Sequence, residues 1–152
     1  MSQYYYWLIP DEPHRSNLKR IIQRFSKIYQ SPIFTPHITV GSGNSIPTTI
    51  QGTEIPQVQF ARAATEHTYF RSLYFKCEPS PTLLSICKYF GREDPFIPHL
   101  SLIYGHFSDA RERDWCTNTP QYKPKVSCST IWIVRGGRKV QDWQKIKSFS
   151  LQ

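Results

Sequence analysis

An α+β fold is what this chain predicts, and two observations carry the prediction. Aromatic and β-branched runs of strand length are interrupted by three stretches of helical periodicity. One short strand motif, Pro-His-apolar-Thr/Ser-apolar, occurs twice, each time downstream of a helix, so the chain reads as two related halves. With 152 residues it has room for one domain around a single moderate core.

The elements follow in order. Residues 3–9, Gln-Tyr-Tyr-Tyr-Trp-Leu-Ile, are aromatic and branched and stop at Pro10, which predicts a first strand. From Pro13 onward Leu18, Ile21, Ile22, Phe25, Ile28 and Tyr29 recur at three-and-four spacing, while Lys19, Arg20, Arg24 and Lys27 take the other side. That is an amphipathic helix with a basic, solvated outer face, ending near Ser31-Pro32. Residues 36–40 read as a strand, and 41–52, rich in Gly, Ser, Asn, Pro and Thr, as a long loop. A hairpin comes next. In its first strand Val58, Phe60, Arg62 and Ala64 alternate with Gln57, Gln59, Ala61 and Ala63; its second spans 70–77 through Leu73, Phe75 and Cys77. Ser80-Pro81 opens a second helix as N-cap and first-turn proline, with Leu83, Leu84, Cys87 and Phe90 as the buried stripe and Gly91 as the stop. After a turn at Glu93-Asp94-Pro95, residues 98–104 form a strand, and Ser108 starts a short helix that reaches Trp115. The β-branched run 126–135 ends in Gly136-Gly137. Alternation through Trp143, Lys145, Lys147, Phe149 and Leu151 then predicts a closing strand, although Trp143, Ile146 and Phe149 would also suit a helix.

Composition excludes several classes. Hydrophobic residues make up 39% and charged residues 20%, and 9 Tyr, 9 Phe and 4 Trp are spread along the chain, which excludes a disordered or collagen-like protein. No apolar run is long enough to span a bilayer, and residues 1–4 lack the basic and apolar segments of a secretory signal, so the expected location is the cytoplasm. Nineteen Lys and Arg against 11 Asp and Glu give a net charge of +8, which raises the prior for a phosphate-bearing partner without naming one. Cys77, Cys87, Cys116 and Cys128 show neither C-x-x-C nor paired Cys/His spacing, and are expected to be reduced and partly buried.

The chemistry lies in the repeat. One copy is Pro36-His37-Ile38-Thr39-Val40 and the other Pro98-His99-Leu100-Ser101-Leu102. Residues two apart on a strand share a face, so His37 and Thr39 project together while Ile38 and Val40 enter the core, and His99 and Ser101 repeat the arrangement. If the halves pack about a pseudo-twofold axis, two imidazole–hydroxyl pairs converge on one cleft. Without a carboxylate cluster that set makes a poor metal site and a good phosphate site. One neutral imidazole takes a proton, the other as imidazolium gives one, and the hydroxyls hold phosphate oxygens. Opening a strained cyclic phosphate asks for nothing more. A single copy would more often be a packing residue, and His14, His67 and His106, which lack the context, are read that way.

The two motifs, His37-Ile38-Thr39 and His99-Leu100-Ser101, resemble the paired H-x-T/S signature of the 2H phosphoesterase superfamily. The opening Tyr-Trp-Leu-Ile-Pro around Trp7 and the segment from Pro98 to Tyr104 are most similar to its small cyclic phosphodiesterases. The resemblance implies a LigT-like α+β fold, with two pseudo-symmetric lobes of antiparallel sheet, helices outside, and a central cleft to which each lobe contributes one motif. It also implies metal-independent hydrolysis, with no cofactor, of nucleoside 2′,3′-cyclic phosphates or of ADP-ribose 1″,2″-cyclic phosphate, a by-product of tRNA splicing. By position, His37 and His99 would be the acid/base pair, Thr39 and Ser101 the phosphate ligands, and Trp7 and Tyr104 aromatic substrate contacts. Phe70 is a further candidate for the base or ribose pocket. Tyr104 has the wrong strand parity relative to His99, and a bend before Gly105 is needed to turn it inward. The family reading gives the activation of water to the second-motif histidine, His99; pseudo-symmetry makes the opposite assignment chemically sensible too.

The expected partner is a small nucleotide, bound by a monomer that touches no membrane. Two alternatives compete. One is an enzyme of the same family acting on RNA ends or 2′,5′ linkages, with the basic helix face and Arg135-Gly136-Gly137-Arg138-Lys139 as a track for a longer polyanion. The other is a nucleotide- or RNA-binding module without turnover, which has no need of a matched acid and base.

Overall fold

The computed structural model describes residues 3–92, 97–137 and 139–151. Along them run β1 (Tyr4–Ile9), α1 (His14–Tyr29), β2 (Ile38–Gly43), β3 (Gln57–Val58), β4 (Phe60–Ala64), β5 (Leu73–Cys77), α2 (Pro81–Tyr89), β6 (His99–Ile103), α3 (Asp109–Asn118), β7 (Val126–Ser127), β8 (Thr130–Arg135) and β9 (Gln144–Ser150). Seven strands form one antiparallel sheet in the order β4-β5-β6-β2-β1-β8-β9, and β3 pairs with β7 in a small second sheet. The predicted α+β class, with antiparallel strands and outer helices, is what is observed.

The two halves meet at a single pairing, Ile38 with Leu100, between β2 and β6. These are the residues flanked by histidine and hydroxyl in the two motifs. The antiparallel register therefore sets His37 across from Ser101 and Thr39 across from His99. β1-α1-β2 and β5-α2-β6 repeat one another about this point, and each helix crosses to the other half: α1 packs on β6, α2 on β2 and β3. The repetition extends to a bulge. Trp7 pairs with Thr39 but Tyr6 with Gly41; Tyr74 pairs with Ser101 but Leu73 with Ile103. In each half one extra residue follows the hydroxyl, Val40 or Leu102, and turns the rest of the strand over.

The apolar face of the sheet holds the core. Leu8, Ile38, Val40, Phe75, Leu100, Leu102 and Ile131 are fully buried there with Leu18 and Ile22 of α1 and Leu83 of α2. The opposite face carries a smaller cluster of Trp7, Ile9 and Val134, with Trp143 against it. Capping follows the sequence: the Ser80 Oγ accepts the Leu83 N–H at 3.2 Å, and the Ser108 Oγ accepts the Arg111 N–H at 3.3 Å. Gly91, at φ 82°, takes a left-handed conformation just after α2 that a side chain would strain.

Several boundaries differ from the sequence reading. β2 starts at Ile38 and runs on to Gly43, into the predicted loop, because Tyr4 to Tyr6 offer it partners. Residues Tyr69–Arg71 are a 3₁₀ turn, so β5 starts at Leu73. The buried Ser72 hydroxyl ties that turn to the Thr68, Tyr69 and Gly105 carbonyls. In β4 a bulge between Phe60 and Ala63 puts Ala63 inward and Arg62 outward, reversing the expected alternation. Ile86, not Leu84, completes the buried stripe of α2. α3 continues past Trp115 to Asn118. The run 126–135 splits into β7 and β8, since the Asp11 carboxylate accepts the Ser129 N–H at 3.0 Å and its hydroxyl at 2.6 Å and carries the chain between sheets. The closing element is a strand. The turn expected at Glu93-Asp94-Pro95 and the Arg138 of the basic run lie outside the described residues. All four cysteines are free, Cys116 half-buried and the others buried, and burial pushes the Cys87 thiol up to about 11. Among the described residues no helix is long and apolar enough to cross a membrane.

Candidate functional site

On the face of the sheet away from α1 and α2, a cleft of about 220 Å³ lies over the β2–β6 junction. It is lined by His37, Thr39, His99 and Ser101, together with Trp7, Phe70 and Tyr104. The structure thus brings together all seven residues singled out in the sequence. Tyr5, Arg71, Arg92, Gly137 and Trp143 also line it.

The histidines are held alike. His37 Nδ1 is 2.7 Å from the Thr35 carbonyl and His99 Nδ1 is 3.4 Å from the Ile97 carbonyl. A carbonyl only accepts, so Nδ1 carries the proton and donates it, leaving the Nε2 lone pair of each ring for chemistry. His37 is stacked on the Trp7 indole, with ring centroids 3.5 Å apart and planes 9° apart. The counterpart of Trp7 in the other half is Tyr74, whose ring lies 5.0 Å from His99 at 60°. Tyr104 brings its hydroxyl to 3.5 Å from His37 Nε2. The bulge at Leu102 restores the parity that the sequence denied it, and Gly105 at φ 151° provides the bend. The Ser101 hydroxyl donates to the Phe70 carbonyl at 3.3 Å, which links the motif to the 3₁₀ turn.

Electrostatics keep both imidazoles neutral. Burial pushes the pKa of His37 down to about 3, aided by the proximity of His99 and opposed by its bond to Thr35. That of His99 is also lowered, by burial first, against its bond to Ile97; Arg71 and Arg92 add to the lowering and Glu66 opposes it. Glu66 pairs with the Arg71 guanidinium at 3.2 Å and accepts the Tyr74 hydroxyl at 3.1 Å. Burial raises the Tyr104 phenol, so it remains a hydrogen-bond donor. Two cations and two neutral histidines around one concavity attract an anion, and a bound anion returns proton affinity to the imidazoles.

Arg71, Arg92 and Trp143 escaped the sequence reading. Arg71 adjoins Phe70, and Arg92 follows the Gly91 stop of α2, so both reach the cleft from turns, where strand parity gives no signal. Trp143 precedes β9 and is oriented by its indole N–H, which donates to the Gly137 carbonyl at 3.2 Å. Its ring stands near-perpendicular to Trp7 and Tyr104 and nearly parallel to Phe70, 6.3 Å away at 23°. Among the described residues no group of His, Cys, Asp and Glu has the geometry to hold a metal ion.

Comparison with known proteins adds four likenesses. A family model described as cyclic phosphodiesterase-like protein matches residues 1–49. A Phaeosphaeria nodorum protein named 2′,3′-cyclic-nucleotide 3′-phosphodiesterase is 33% identical over 129 residues, covering 64% of this chain and 66% of that protein, just under two thirds of its length. The cyclic phosphodiesterase of Arabidopsis thaliana is 21% identical over 126 residues, covering 73% of this chain and 70% of its own. The Escherichia coli LigT structures in complex with 3′-AMP and with ATP superpose with TM-scores of 0.60 and 0.62 at 10% identity; each match covers 99% of this chain and 98% of LigT.

Proposed function

We infer that the chain is a member of the 2H phosphoesterase superfamily, and from that premise we propose that its cleft hydrolyses nucleoside 2′,3′-cyclic phosphates by two-histidine acid/base catalysis. One observation carries the reading: the Ile38–Leu100 pairing sets two imidazole–hydroxyl pairs antiparallel on the floor of one cleft, each imidazole with Nδ1 donated to a backbone carbonyl and Nε2 left over. The names of the two curated relatives agree with it. ADP-ribose 1″,2″-cyclic phosphate presents the same strained ring and is the second substrate to test.

In this mechanism the Thr39 and Ser101 hydroxyls hold the non-bridging phosphate oxygens, with Arg71 and Arg92 drawing the anion in. One Nε2 takes a proton from water as the water oxygen bonds to phosphorus. The bond from phosphorus to O3′ breaks, and the other imidazole, protonated, gives its proton to O3′. The product is the 2′-monophosphate, and the pair ends with its protons exchanged. His37 and His99 are the catalytic residues; the family pattern makes His99 the base, whereas the deeper burial of His37 leaves the proton of the singly protonated pair on His99 and favours the opposite assignment, with His37 as base. Trp7 and Tyr104 contact the substrate beside His37. The rings of Phe70 and Trp143, which both line the cleft, are placed to contact the base. The mechanism calls on no metal, and turnover is expected to persist in EDTA.

The pH dependence follows from the sign of the shifts. Both histidines are depressed below the ordinary 6.5, His37 to about 3, so the singly protonated free enzyme that the mechanism requires is most populated between those limits. The expected kcat/KM optimum is therefore below pH 6.5. The kcat optimum lies higher, because bound phosphate raises both groups. Initial rates across pH 4–9 on adenosine 2′,3′-cyclic phosphate check this, and a kcat/KM maximum on the alkaline side of neutrality would contradict it.

A further inference from the structure

The pseudo-twofold pairs His37 with His99, but the rings beside them differ. Trp7, opposite Thr39, stacks on His37 and has Trp143 as its edge-on neighbour. Tyr74, opposite Ser101, flanks His99 and has a carboxylate as its neighbour: the buried Tyr74 donates its hydroxyl to Glu66 Oε1 at 3.1 Å. The same carboxylate takes the Arg71 guanidinium, at 3.2 Å from Oε2 and 3.4 Å from Oε1. The backbone sets this clasp. The Glu66 N–H donates to the Arg71 carbonyl at 2.8 Å and the Arg71 N–H to the Thr68 carbonyl at 3.2 Å, which closes the turn that delivers Phe70 and Arg71 to the cleft. Glu66 stands outside the cleft lining and reaches it through Arg71, and His99 through Tyr74.

We propose that Glu66 is a positioning residue that sets the two histidines apart: by holding the Tyr74 ring beside His99 and the Arg71 cation at the rim of the cleft, it makes His99 the ring that carries the proton of the pair. The proposal rests on the two-histidine reading of the cleft. The groups facing His99 are Tyr74 and Lys76 of β5, Arg71 from the 3₁₀ turn, Arg92 after α2, His37 from the other motif, and Glu66. Of these Glu66 alone is an anion. An imidazolium among three cations is unfavourable, and a carboxylate beside it offsets part of that cost. Arg71 lowers the proton affinity of His99 and Glu66 raises it, so a carboxylate that also pairs with Arg71 acts twice in one direction. Against the burial that would raise it, the bonds from Arg71 and Tyr74 lower the Glu66 carboxyl and keep it ionised. Burial and Glu66 together push the Tyr74 phenol up to about 12, so it stays a donor and fixes where the carboxylate sits. Glu66 is half-exposed and solvent screens its charge, so the effect is fewfold.

The test is the proton NMR titration of the His99 Cε1–H, assigned by its loss in His99→Ala, alongside kcat/KM against pH on adenosine 2′,3′-cyclic phosphate. Wild type is compared with Glu66→Gln, Glu66→Asp and Tyr74→Phe. Removing the anion disfavours the imidazolium, so in Glu66→Gln the His99 midpoint and the alkaline limb of kcat/KM should both move to lower pH, while His37 and the acid limb stay. As a rate, Glu66→Gln should cost ~3-fold or more on the alkaline limb and under ~2-fold at the optimum. Glu66→Asp keeps the charge and should recover most of that difference. Tyr74→Phe keeps the charge but unties the ring from the carboxylate, and should lower kcat ~3-fold or more at every pH. A Glu66→Gln variant slowed equally at all pH values would mark a merely structural role and overturn the proposal. So would a His99 midpoint in Glu66→Gln equal to that of wild type, or a wild-type kcat in Tyr74→Phe. The titration needs no turnover. A displaced midpoint in a protein that leaves the cyclic phosphate intact defeats the catalytic reading alone, and turnover with an unmoved midpoint defeats the role of Glu66 alone.

Discussion

Replacing His37 or His99 with Ala is expected to lower kcat on adenosine 2′,3′-cyclic phosphate by at least ~100-fold, with the fold retained. Each ring supplies one of two proton transfers, and neither has a substitute within reach. Tyr104, whose hydroxyl is 3.5 Å from His37 Nε2, is a phenol with a raised pKa and cannot take over as base. Because the pair works as a unit, the double variant should lose little more than the worse single one. Thr39→Ala or Ser101→Ala should cost less per site, since two hydroxyls and two cations share the anion. Steady-state kinetics on the four variants, with circular dichroism to verify folding, decide the matter. Full activity in either histidine variant would remove the mechanism.

Trp7→Ala is the second large effect, and it falls on stability and turnover together. Trp7 is 6% exposed, stacks on His37, and meets Trp143 edge-on at 5.2 Å. Deleting it leaves a cavity between the sheet and the Trp143 loop, with an expected loss of about 3–5 kcal/mol in urea unfolding. It also frees the His37 ring to leave the orientation in which Nδ1 meets the Thr35 carbonyl, so kcat should fall ~10-fold or more. Trp7→Phe keeps a flat ring against the imidazole and should restore most of both losses. A Phe variant as impaired as the Ala variant would show that stacking is not what positions His37.

Much of this site was legible from strand arithmetic. His37 with Thr39, and His99 with Ser101, each needed only period-two geometry and one apolar residue aimed at the core; Ile38 and Leu100 proved to be those residues and paired with each other. Tyr104 shows where the arithmetic stops. Its parity was wrong for an unbroken strand, and the bulge at Leu102 that corrects it depends on which residues β5 presents, a matter of tertiary pairing. The bulge in β4 misled the burial of Arg62 and Ala63 for the same reason. Arg71, Arg92 and Trp143 enter from turns and a strand end, and their reach is set by contacts distant in sequence, such as the Ser72 hydroxyl on the Gly105 carbonyl or the Trp143 indole on that of Gly137. Tyr74 was read only as a strand residue, and its equivalence to Trp7 emerges once both are seen opposite a motif hydroxyl.

The central claim, two histidines opening a cyclic phosphate across a pseudo-twofold cleft, is tested most directly by phosphorus NMR. Adenosine 2′,3′-cyclic phosphate is incubated in EDTA with the wild-type protein and with the His37→Ala, His99→Ala double variant. Conversion to the 2′-monophosphate by the wild type alone is the predicted result; conversion that persists in the double variant, or that the wild type performs only with added metal, would contradict it.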